Sequence, residues 1–244
     1  MADGTGPGRT LQQGLAAGLN ALLPGRCLAC AVVIDGVVDV VIGGADFCPV
    51  CREQVVRASA PGVLVYAGPL VDVIHRAKYS RDLGAALGLV RLLVLSVDGI
   101  DGAERAVLDA VDVVTFVPAH WTRAVGRGFD LPALLADGLA SRVQRPWRRL
   151  LRAGRRDPRL ADADSVQERA RLVQGRFRLA RGLTPSSVAG LRVLLVDDVH
   201  TTGATLAEAA AVLADAGADV VVLALAWTPP PSDPVDEPPL TAAG

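Results

Sequence analysis

The chain has 244 residues, of which 51% are hydrophobic and 21% are charged, and its formal net charge is −1. This length suits one α/β domain with a small appendage, or two domains at most, and the apolar content excludes a globally disordered chain. The near-zero charge gives no global indication of a nucleic-acid or membrane-surface protein, and no apolar run reaches membrane-spanning length, so we expect a cytoplasmic protein without membrane insertion.

The two ends of the chain are set apart from its centre. Apolar residues at helical spacing from Leu11 to Leu23 predict a short amphipathic helix within an N-terminal segment, residues 1–25. That stretch lacks the basic region and cleavage site of a signal peptide. At the other end, residues 229–244 are rich in proline and acidic residues, which predicts a disordered tail.

All four cysteines fall into two C-x₂-C pairs that are separated by seventeen residues. This is the spacing of a tetrahedral zinc site. Two disulfides or a redox pair are the alternatives, but a cytosolic protein of this size needs no disulfides, and a redox motif has no reason to be duplicated. We therefore predict a small zinc ribbon over residues 26–60, with structural Zn²⁺ held by Cys27, Cys30, Cys48 and Cys51.

Residues 61–228 alternate predicted strands with predicted helices. Strands are expected at Val63 to Tyr66, Asp112 to Val117, around Phe177, Val193 to Val196 and Val220 to Ala226. Helices are expected at Pro69 to Lys78, Leu83 to Leu95, Leu131 to Val143 and Leu206 to Ala216. This alternation predicts an α/β fold with a doubly wound parallel sheet.

Arginines are concentrated in two places. Arg123 and Arg127 follow the second predicted strand among glycines, which suits either a pyrophosphate grip or a solvated loop. Between residues 142 and 159 the chain has eight more, for which we weigh a solvated loop, a phosphate-facing hood and a single-stranded DNA contact. They are Arg142, Arg145, Arg148, Arg149, Arg152, Arg155, Arg156 and Arg159.

The most informative run lies between Leu191 and Thr205. It reads as a buried strand, then the acidic pair Asp197 and Asp198, and then a small-residue loop made of Thr201, Thr202, Gly203, Ala204 and Thr205. Free N–H groups at a helix start bind phosphate, and adjacent carboxylates suit sugar hydroxyls or hydrated Mg²⁺. We interpret the run as a site for a phosphorylated sugar; an ordinary strand–helix turn is the alternative.

This run resembles the phosphoribosyl-pyrophosphate (PRPP) motif of type I phosphoribosyltransferases. The resemblance implies that Asp197 and Asp198 hold the ribose hydroxyls as the candidate catalytic pair, and that residues 201–205 cradle the 5′-phosphate. It also implies binding of PRPP together with Mg²⁺, and places the parallel sheet in a phosphoribosyltransferase-like domain over residues 61–228.

The combination of this motif with the cysteine pairs resembles the ComF/GntX family, which is associated with bacterial DNA uptake. Further agreement comes from Tyr66 to Leu70, Lys78-Tyr79, a His-x₂-Arg-x₃-Arg-Gly-Phe run that begins at His120, and Arg169, Gly175 and Phe177. The resemblance adds Lys78, Arg123 and Arg127 to the PRPP-binding residues, and implies single-stranded DNA and competence proteins as partners.

The chain departs from the family pattern at the positions that should cover the ligand and meet an acceptor. These departures are Asp130, Leu131, Pro158, Ala161, Asp164 and Leu172, and His200 stands where an apolar residue is commoner. We therefore assign no acceptor-binding role to them. Three functions follow as hypotheses: a phosphoribosyltransferase, a non-catalytic DNA-uptake component that binds DNA or proteins, and a regulator that senses the ligand.

Overall fold

The computed structural model describes residues 25–34, 47–58, 62–118, 128–154 and 176–229. Several predictions from the sequence lie outside these ranges: the N-terminal helix, the tail from residue 230, Arg123, Arg127, and the hood positions Pro158, Ala161, Asp164 and Leu172. The proposed division of the chain into four segments stays a prediction.

Eight strands and six α-helices lie in the described ranges. The strands are β1 (Gly25–Arg26), β2 (Val33–Ile34), β3 (Gly62–Val65), β4 (Val113–Phe116), β5 (Leu151–Ala153), β6 (Phe177–Leu179), β7 (Arg192–His200) and β8 (Asp219–Trp227). The helices are α1 (Pro49–Glu53), α2 (Pro69–Tyr79), α3 (Leu83–Asp98), α4 (Gly102–Asp109), α5 (Leu131–Arg142) and α6 (Ala204–Asp215).

The central sheet has the strand order β3-β8-β7-β4, and every neighbouring pair is parallel. Alternate residues of β7 enter two separate cores. Leu194 and Val196 belong to the core that contains α2, α3 and α5, whereas Val193 and Leu195 pack with α6. Helices therefore cover both faces of the sheet, which confirms the predicted doubly wound α/β fold.

The helices that flank the site begin at clear local signals. Gly68 has a φ of +52° and precedes Pro69, which opens α2 without requiring an N–H donor. The Asp82 carboxylate accepts a hydrogen bond of 2.9 Å from the Ala85 N–H and caps α3. In the described ranges no single helix is long and apolar enough to cross a membrane. The helices α3 and α4 reach that length and apolar composition only when taken together, and the chain bends by 120° between them.

The structure corrects one strand prediction. The strand at Phe177 does not join the parallel sheet, since β6 pairs antiparallel with β5 in a separate two-stranded sheet. This small sheet packs against α6, where the Arg176 N–H donates to Glu208 Oε1 at 2.9 Å. Local β-propensity marked the strand correctly, but it could not identify the partner, because pairing depends on long-range register.

Two further differences concern element lengths. No helix was predicted at the position of α4, which is short and has Leu108 as its only buried residue. The strand β7 continues four residues beyond its predicted end at Val196, so the acidic pair lies inside the strand and not after it. The extension is stabilised by β8, whose pairing reaches His200 opposite Trp227.

Candidate functional site

The acidic pair lies at the carboxyl edge of the sheet, where open α/β sheets bind their ligands. The pairing of β4 with β7 ends at Phe116 opposite Val196, so Asp197 and Asp198 keep a strand neighbour only in β8. Each of the two residues is 8% exposed. Two carboxylates are thus held next to each other at the opening left by the shorter strand.

Burial makes the charge of this pair costly. It raises the pKa of Asp197 well above its usual range, and the neighbouring Asp198 carboxylate raises it further. The Asp198 N–H donates to Asp197 Oδ1 at 2.8 Å and partly opposes this effect. A group that brings positive charge to the pair is therefore bound favourably.

Lys78 supplies one positive charge from within the chain. Its Nζ lies 2.7 Å from Asp198 Oδ1, and the two side chains are 20% and 12% exposed. Because α2 carries Lys78 to the edge of β7, residues 120 positions apart in the sequence meet at the site. The family resemblance placed Lys78 near the ligand, and the structure brings it onto the acidic pair.

The loop after β7 forms the start of α6. Gly203 occupies the N-cap position with a φ of +74°, a conformation that favours glycine. A Cβ at this position would lie 2.7 Å from His200 Nε2, so any other residue there would displace the His200 ring. Thr201 and Thr202 are exposed beside the first turn, whose N–H groups have no partner within the helix. The arrangement provides N–H and hydroxyl donors to an anion.

Two of the departures from the family pattern have definite positions. Leu131 is fully buried and belongs to the core under α5. Asp130 is the N-cap residue of α5, and its charge adds to the rise in the pKa of Asp197. The sequence did not reveal that the charge of a third carboxylate acts on the acidic pair, because the two segments come within electrostatic reach of each other only in the folded chain.

The sequence did not reveal a group of aromatic side chains at the same edge, although Tyr66 and Tyr79 lie in segments that match the family. Tyr66 follows β3, and its hydroxyl lies 2.9 Å from His75 Nε2 on α2. The His75 ring in turn contacts Tyr79, next to Lys78. Tyr66, the last residue of the strand predicted over Val63 to Tyr66, is the signal that could have placed an aromatic group near the site.

The four cysteines form a second site, at the N-terminal end of the described chain. Their Sγ atoms all lie within 4.8 Å of one another, and those of Cys30 and Cys48 are 3.7 Å apart. Zinc–sulfur bonds of about 2.3 Å place tetrahedral ligands about 3.8 Å apart, so the donor set fits such an ion. The four cysteines can therefore bind a metal such as zinc.

The electrostatics of this cluster also favour a cation. Although burial raises the pKa of the Cys27 thiol, hydrogen bonds from backbone groups at Cys30, Cys48 and Ala29 outweigh burial and lower it to about 6. Burial and the neighbouring sulfurs raise the pKa of Cys51. Anionic sulfurs packed so closely repel one another, and a bound cation removes that repulsion.

The cluster is fixed to the helices of the main sheet. Arg76 on α2 donates to the Leu28 carbonyl, inside the first cysteine turn, and pairs with Asp82 Oδ2 at 2.8 Å. The Leu28 side chain packs over Gly88 on α3. The cysteine turn thus rests on the same helix that carries Lys78 to the acidic pair.

Comparison with known proteins agrees with this geometry. Residues 134–239 match the family model described as phosphoribosyl transferase domain. DNA utilization protein YhgH of Escherichia coli (strain K12) is 33% identical over 156 residues, which are 64% of this chain and 66% of that protein. The chain is a ComF-like, type I phosphoribosyltransferase-like protein. The YhgH protein of Salmonella typhimurium is 32% identical over the same length, and the aligned region spans just under two thirds of both relatives.

Solved structures also resemble the chain. Orotate phosphoribosyltransferase from Aeropyrum pernix is 21% identical, with a TM-score of 0.36 over 60% of this chain and 61% of that one. The glutamine PRPP amidotransferase from B. subtilis is 28% identical, with a TM-score of 0.35 over 53% of this chain and 26% of that one.

Proposed function

We propose that this protein binds PRPP with Mg²⁺ at the carboxyl edge of the sheet. The observation that carries the proposal is the buried pair Asp197 and Asp198, followed within five residues by the Gly203-capped start of α6. A ligand with sugar hydroxyls next to a phosphate satisfies both parts at once, because the carboxylates accept from the hydroxyls and the loop donates to the phosphate.

Each part of PRPP is assigned to a group of residues. The ribose hydroxyls donate to the acidic pair, and the 5′-phosphate accepts from the N–H and hydroxyl groups of residues 201–205. The family resemblance assigns the pyrophosphate to Arg123 and Arg127, which lie outside the described residues. Lys78, held at Asp198, adds a positive charge next to the ribose.

The carboxylates also fit a divalent cation. Burial and the Asp198 charge raise the pKa of Asp197, and the Lys78 charge opposes this only in part, which supports a further cation at the pair. Mg²⁺ bound with PRPP supplies positive charge to the departing pyrophosphate. The chain itself contributes by orienting the ribose and by stabilising charge, which is how a site without a strong base promotes substitution at the anomeric carbon.

The wider setting is part of the same proposal. We assign Zn²⁺ to the four cysteines as a structural ion, because a closed thiolate shell leaves no coordination position for chemistry. The name of the YhgH relatives supports an association with DNA utilization. The family resemblance extends the proposal to DNA uptake, to a cytoplasmic location, and to single-stranded DNA and competence proteins as partners.

Calorimetric titration of PRPP with Mg²⁺ into zinc-loaded protein tests the binding site. We expect saturable binding by the wild type and by Asp215→Asn, a matched change at the exposed far end of α6. The double variant Asp197→Asn/Asp198→Asn should lose at least 95% of the binding heat. Equal binding by the double variant, or none by the wild type, contradicts the proposal.

A second candidate function, a non-catalytic DNA-binding role, has one specific observation in its favour. Trp147 lies beside β4 and is 39% exposed, and the adjacent Arg148 and Arg149 are exposed as well. A partly exposed aromatic ring next to exposed arginines suits single-stranded nucleic acid. Binding of an oligonucleotide should weaken steeply with salt, and Arg148→Ala/Arg149→Ala should reduce the slope of log K against log salt by about 1 to 2. The absence of binding at low salt refutes this candidate.

A further inference from the structure

The cysteine cluster contacts α2 at both of its ends. Near the C-terminal end, Arg76 Nη1 donates to the Leu28 carbonyl, which lies inside the first cysteine turn. At the N-terminal end, Gln54 packs against Gly68, the N-cap residue of α2, where an added Cβ would lie 3.4 Å from the Gln54 carbonyl oxygen. Gln54 in turn donates its N–H to the Cys51 carbonyl at 3.3 Å. Each cysteine pair therefore contributes one contact to the same helix.

The Arg76 contact is braced by the junction between α2 and α3. Two guanidinium nitrogens of Arg76, Nε and Nη2, lie 3.0 and 2.8 Å from Asp82 Oδ2. The other oxygen of this carboxylate accepts from the Ala85 N–H at 2.9 Å and caps α3. The Leu28 side chain lies against Gly88 in the same helix. One guanidinium thus joins a cysteine turn to two helices, an arrangement that suits the planar fork of arginine better than the single nitrogen of lysine.

The cysteine turns also share a hydrophobic core with α2. Cys27 and Cys48 are both buried and belong to the core that contains the inner face of the helix. Phe47, which is only 1% exposed, precedes Cys48 and lies in the same core. Protein interiors are packed as densely as organic crystals, so a movement of the cysteine turns is transmitted to the helix that packs on them.

Lys78 lies two residues beyond Arg76 on α2. Its Nζ is 2.7 Å from Asp198 Oδ1, and it supplies positive charge to the buried carboxylates. A helix rises about 1.5 Å per residue, so the two basic residues are separated by about 3 Å along the axis, and a shift of the helix at Arg76 also moves Lys78. The position of α2 therefore sets the charge balance of the candidate ligand site.

A metal ion at the cysteines would join the two contacts on α2. The four Sγ atoms lie within 4.8 Å of one another, so one tetrahedral ion can bind all of them and fix the first turn relative to the second. Without an ion, the anionic sulfurs repel one another, and the turns that carry Leu28 and Gln54 lose this link. Metal binding is therefore expected to restrain α2 at both ends.

We propose that Arg76 is a positioning residue that couples metal binding at the four cysteines to ligand binding at Asp197 and Asp198. The metal-bound turns hold α2 through Arg76, and α2 holds Lys78 at the acidic pair. The inference rests on the proposed function for the identity of the ligand, PRPP with Mg²⁺, but not for the effect of the metal on α2. Because coupling free energies are reciprocal, zinc should tighten PRPP binding, and PRPP should tighten zinc binding by the same factor.

Hydrogen exchange measured by mass spectrometry tests the structural link without any ligand. Removal of zinc from the wild type should speed exchange of the peptide over α2 by at least about fivefold, and Arg76→Leu should show this increase while zinc is still bound. Arg76→Lys, which keeps the charge but not the planar fork, should give an intermediate rate. The peptide over α6, on the opposite face of the sheet, should not change and reports any general loss of stability.

The matched control is Arg105→Leu, which removes an arginine–aspartate pair of similar length from α4. Arg105 Nε lies 2.9 Å from Asp109 Oδ1, compared with 2.8 Å for the pair between Arg76 and Asp82. This variant should exchange like the wild type in α2, both with and without zinc. The comparison separates the contact with the cysteine turn from the loss of a helix ion pair in general.

Calorimetric titration of PRPP with Mg²⁺ measures the coupling itself. Zinc-free wild type should bind at least about fivefold more weakly than zinc-loaded wild type, the lower end of typical couplings between sites. Competition with a chromogenic chelator should show at least about fivefold tighter zinc binding when PRPP and Mg²⁺ are saturating. In Arg76→Leu both factors should fall below about twofold, whereas Arg105→Leu should retain them. A residue that only stabilises the fold would weaken both forms equally and leave the factors unchanged.

Four results overturn the coupling: α2 exchanges equally with and without zinc, α2 and α6 are accelerated alike, Arg76→Leu retains the full effect of zinc, or PRPP binds the zinc-loaded and zinc-free wild type equally tightly. Failure of the proposed function gives a different pattern. PRPP then binds no form of the protein, while zinc removal and Arg76→Leu still speed exchange in α2 alone. That pattern supports the link from the cysteines to α2 and refutes PRPP as the ligand.

Discussion

Replacing Asp197 by asparagine should stabilise the protein while removing its proposed ligand site. Asp197 is buried, and its pKa is raised first by burial and then by Asp198. Asparagine has nearly the same shape, and its amide oxygen can still accept the hydrogen bond that Asp198 N–H donates over 2.8 Å. The substitution therefore removes the buried charge and leaves the local hydrogen bond in place.

The size and sign of the effect follow from proton linkage. A carboxyl group with a raised pKa binds its proton more tightly in the folded state than in the unfolded chain, where the pKa is about 3.9. Its stabilising contribution is complete below that value and is lost at about 1.4 kcal/mol per pH unit as the pH rises toward the folded pKa. At pH 7 the loss has a ceiling of about 4 kcal/mol, so Asp197→Asn should be about 1–4 kcal/mol more stable than the wild type.

Urea unfolding of zinc-loaded protein in Mg²⁺-free buffer, at pH 5, 6, 7 and 8, measures this difference. The free energy of unfolding should favour Asp197→Asn by at most about 1.5 kcal/mol at pH 5, and by an increasing amount as the pH rises toward the folded pKa of Asp197. Asp215→Asn, an exposed control, should follow the wild type. A difference that does not change with pH, or a less stable Asp197→Asn at pH 7, would refute the assignment of a raised pKa to this carboxylate.

Three further changes test other parts of the structure. Lys78→Met should lower the free energy of unfolding in urea by about 1–3 kcal/mol, because it leaves the buried carboxylates without their cation; unchanged stability contradicts this view of the 2.7 Å pair. Cys48→Ser should lose the bound zinc and lower Tm by about 5–10 °C, as measured by metal analysis and calorimetry, whereas retention of stoichiometric zinc refutes the four-thiolate site. Gly203→Ala should weaken PRPP binding at least tenfold and destabilise the fold by more than Gly182→Ala, which has a similar φ of +83° but no atom within 4 Å of an added Cβ. Equal destabilisation by the two glycine variants contradicts the close packing of His200.

Features encoded within a short stretch could be predicted from the sequence. The run from β7 to α6 is contiguous, so its apolar strand, acidic pair and helix start can be predicted from residue types and spacing alone. The cysteine turns are local in the same sense, because two intervening residues suffice to bring two sulfurs together. The alternation of strands and helices is also visible along the chain, and this alternation predicted the parallel sheet.

The tertiary structure decided which distant residues share the site. Nothing in the local pattern of α2 or α5 indicates that Lys78 pairs with Asp198 or that the Asp130 charge acts on Asp197. The exposed Tyr79 and the Tyr66–His75 contact likewise depend on how α2 packs beside β3. The sequence determined the local backbone of the site and the chemistry of its side chains. Long-range packing decided the charge balance of the acidic pair and the contacts of the aromatic side chains. Side chains far apart in the chain become neighbours only when the helices pack on the sheet.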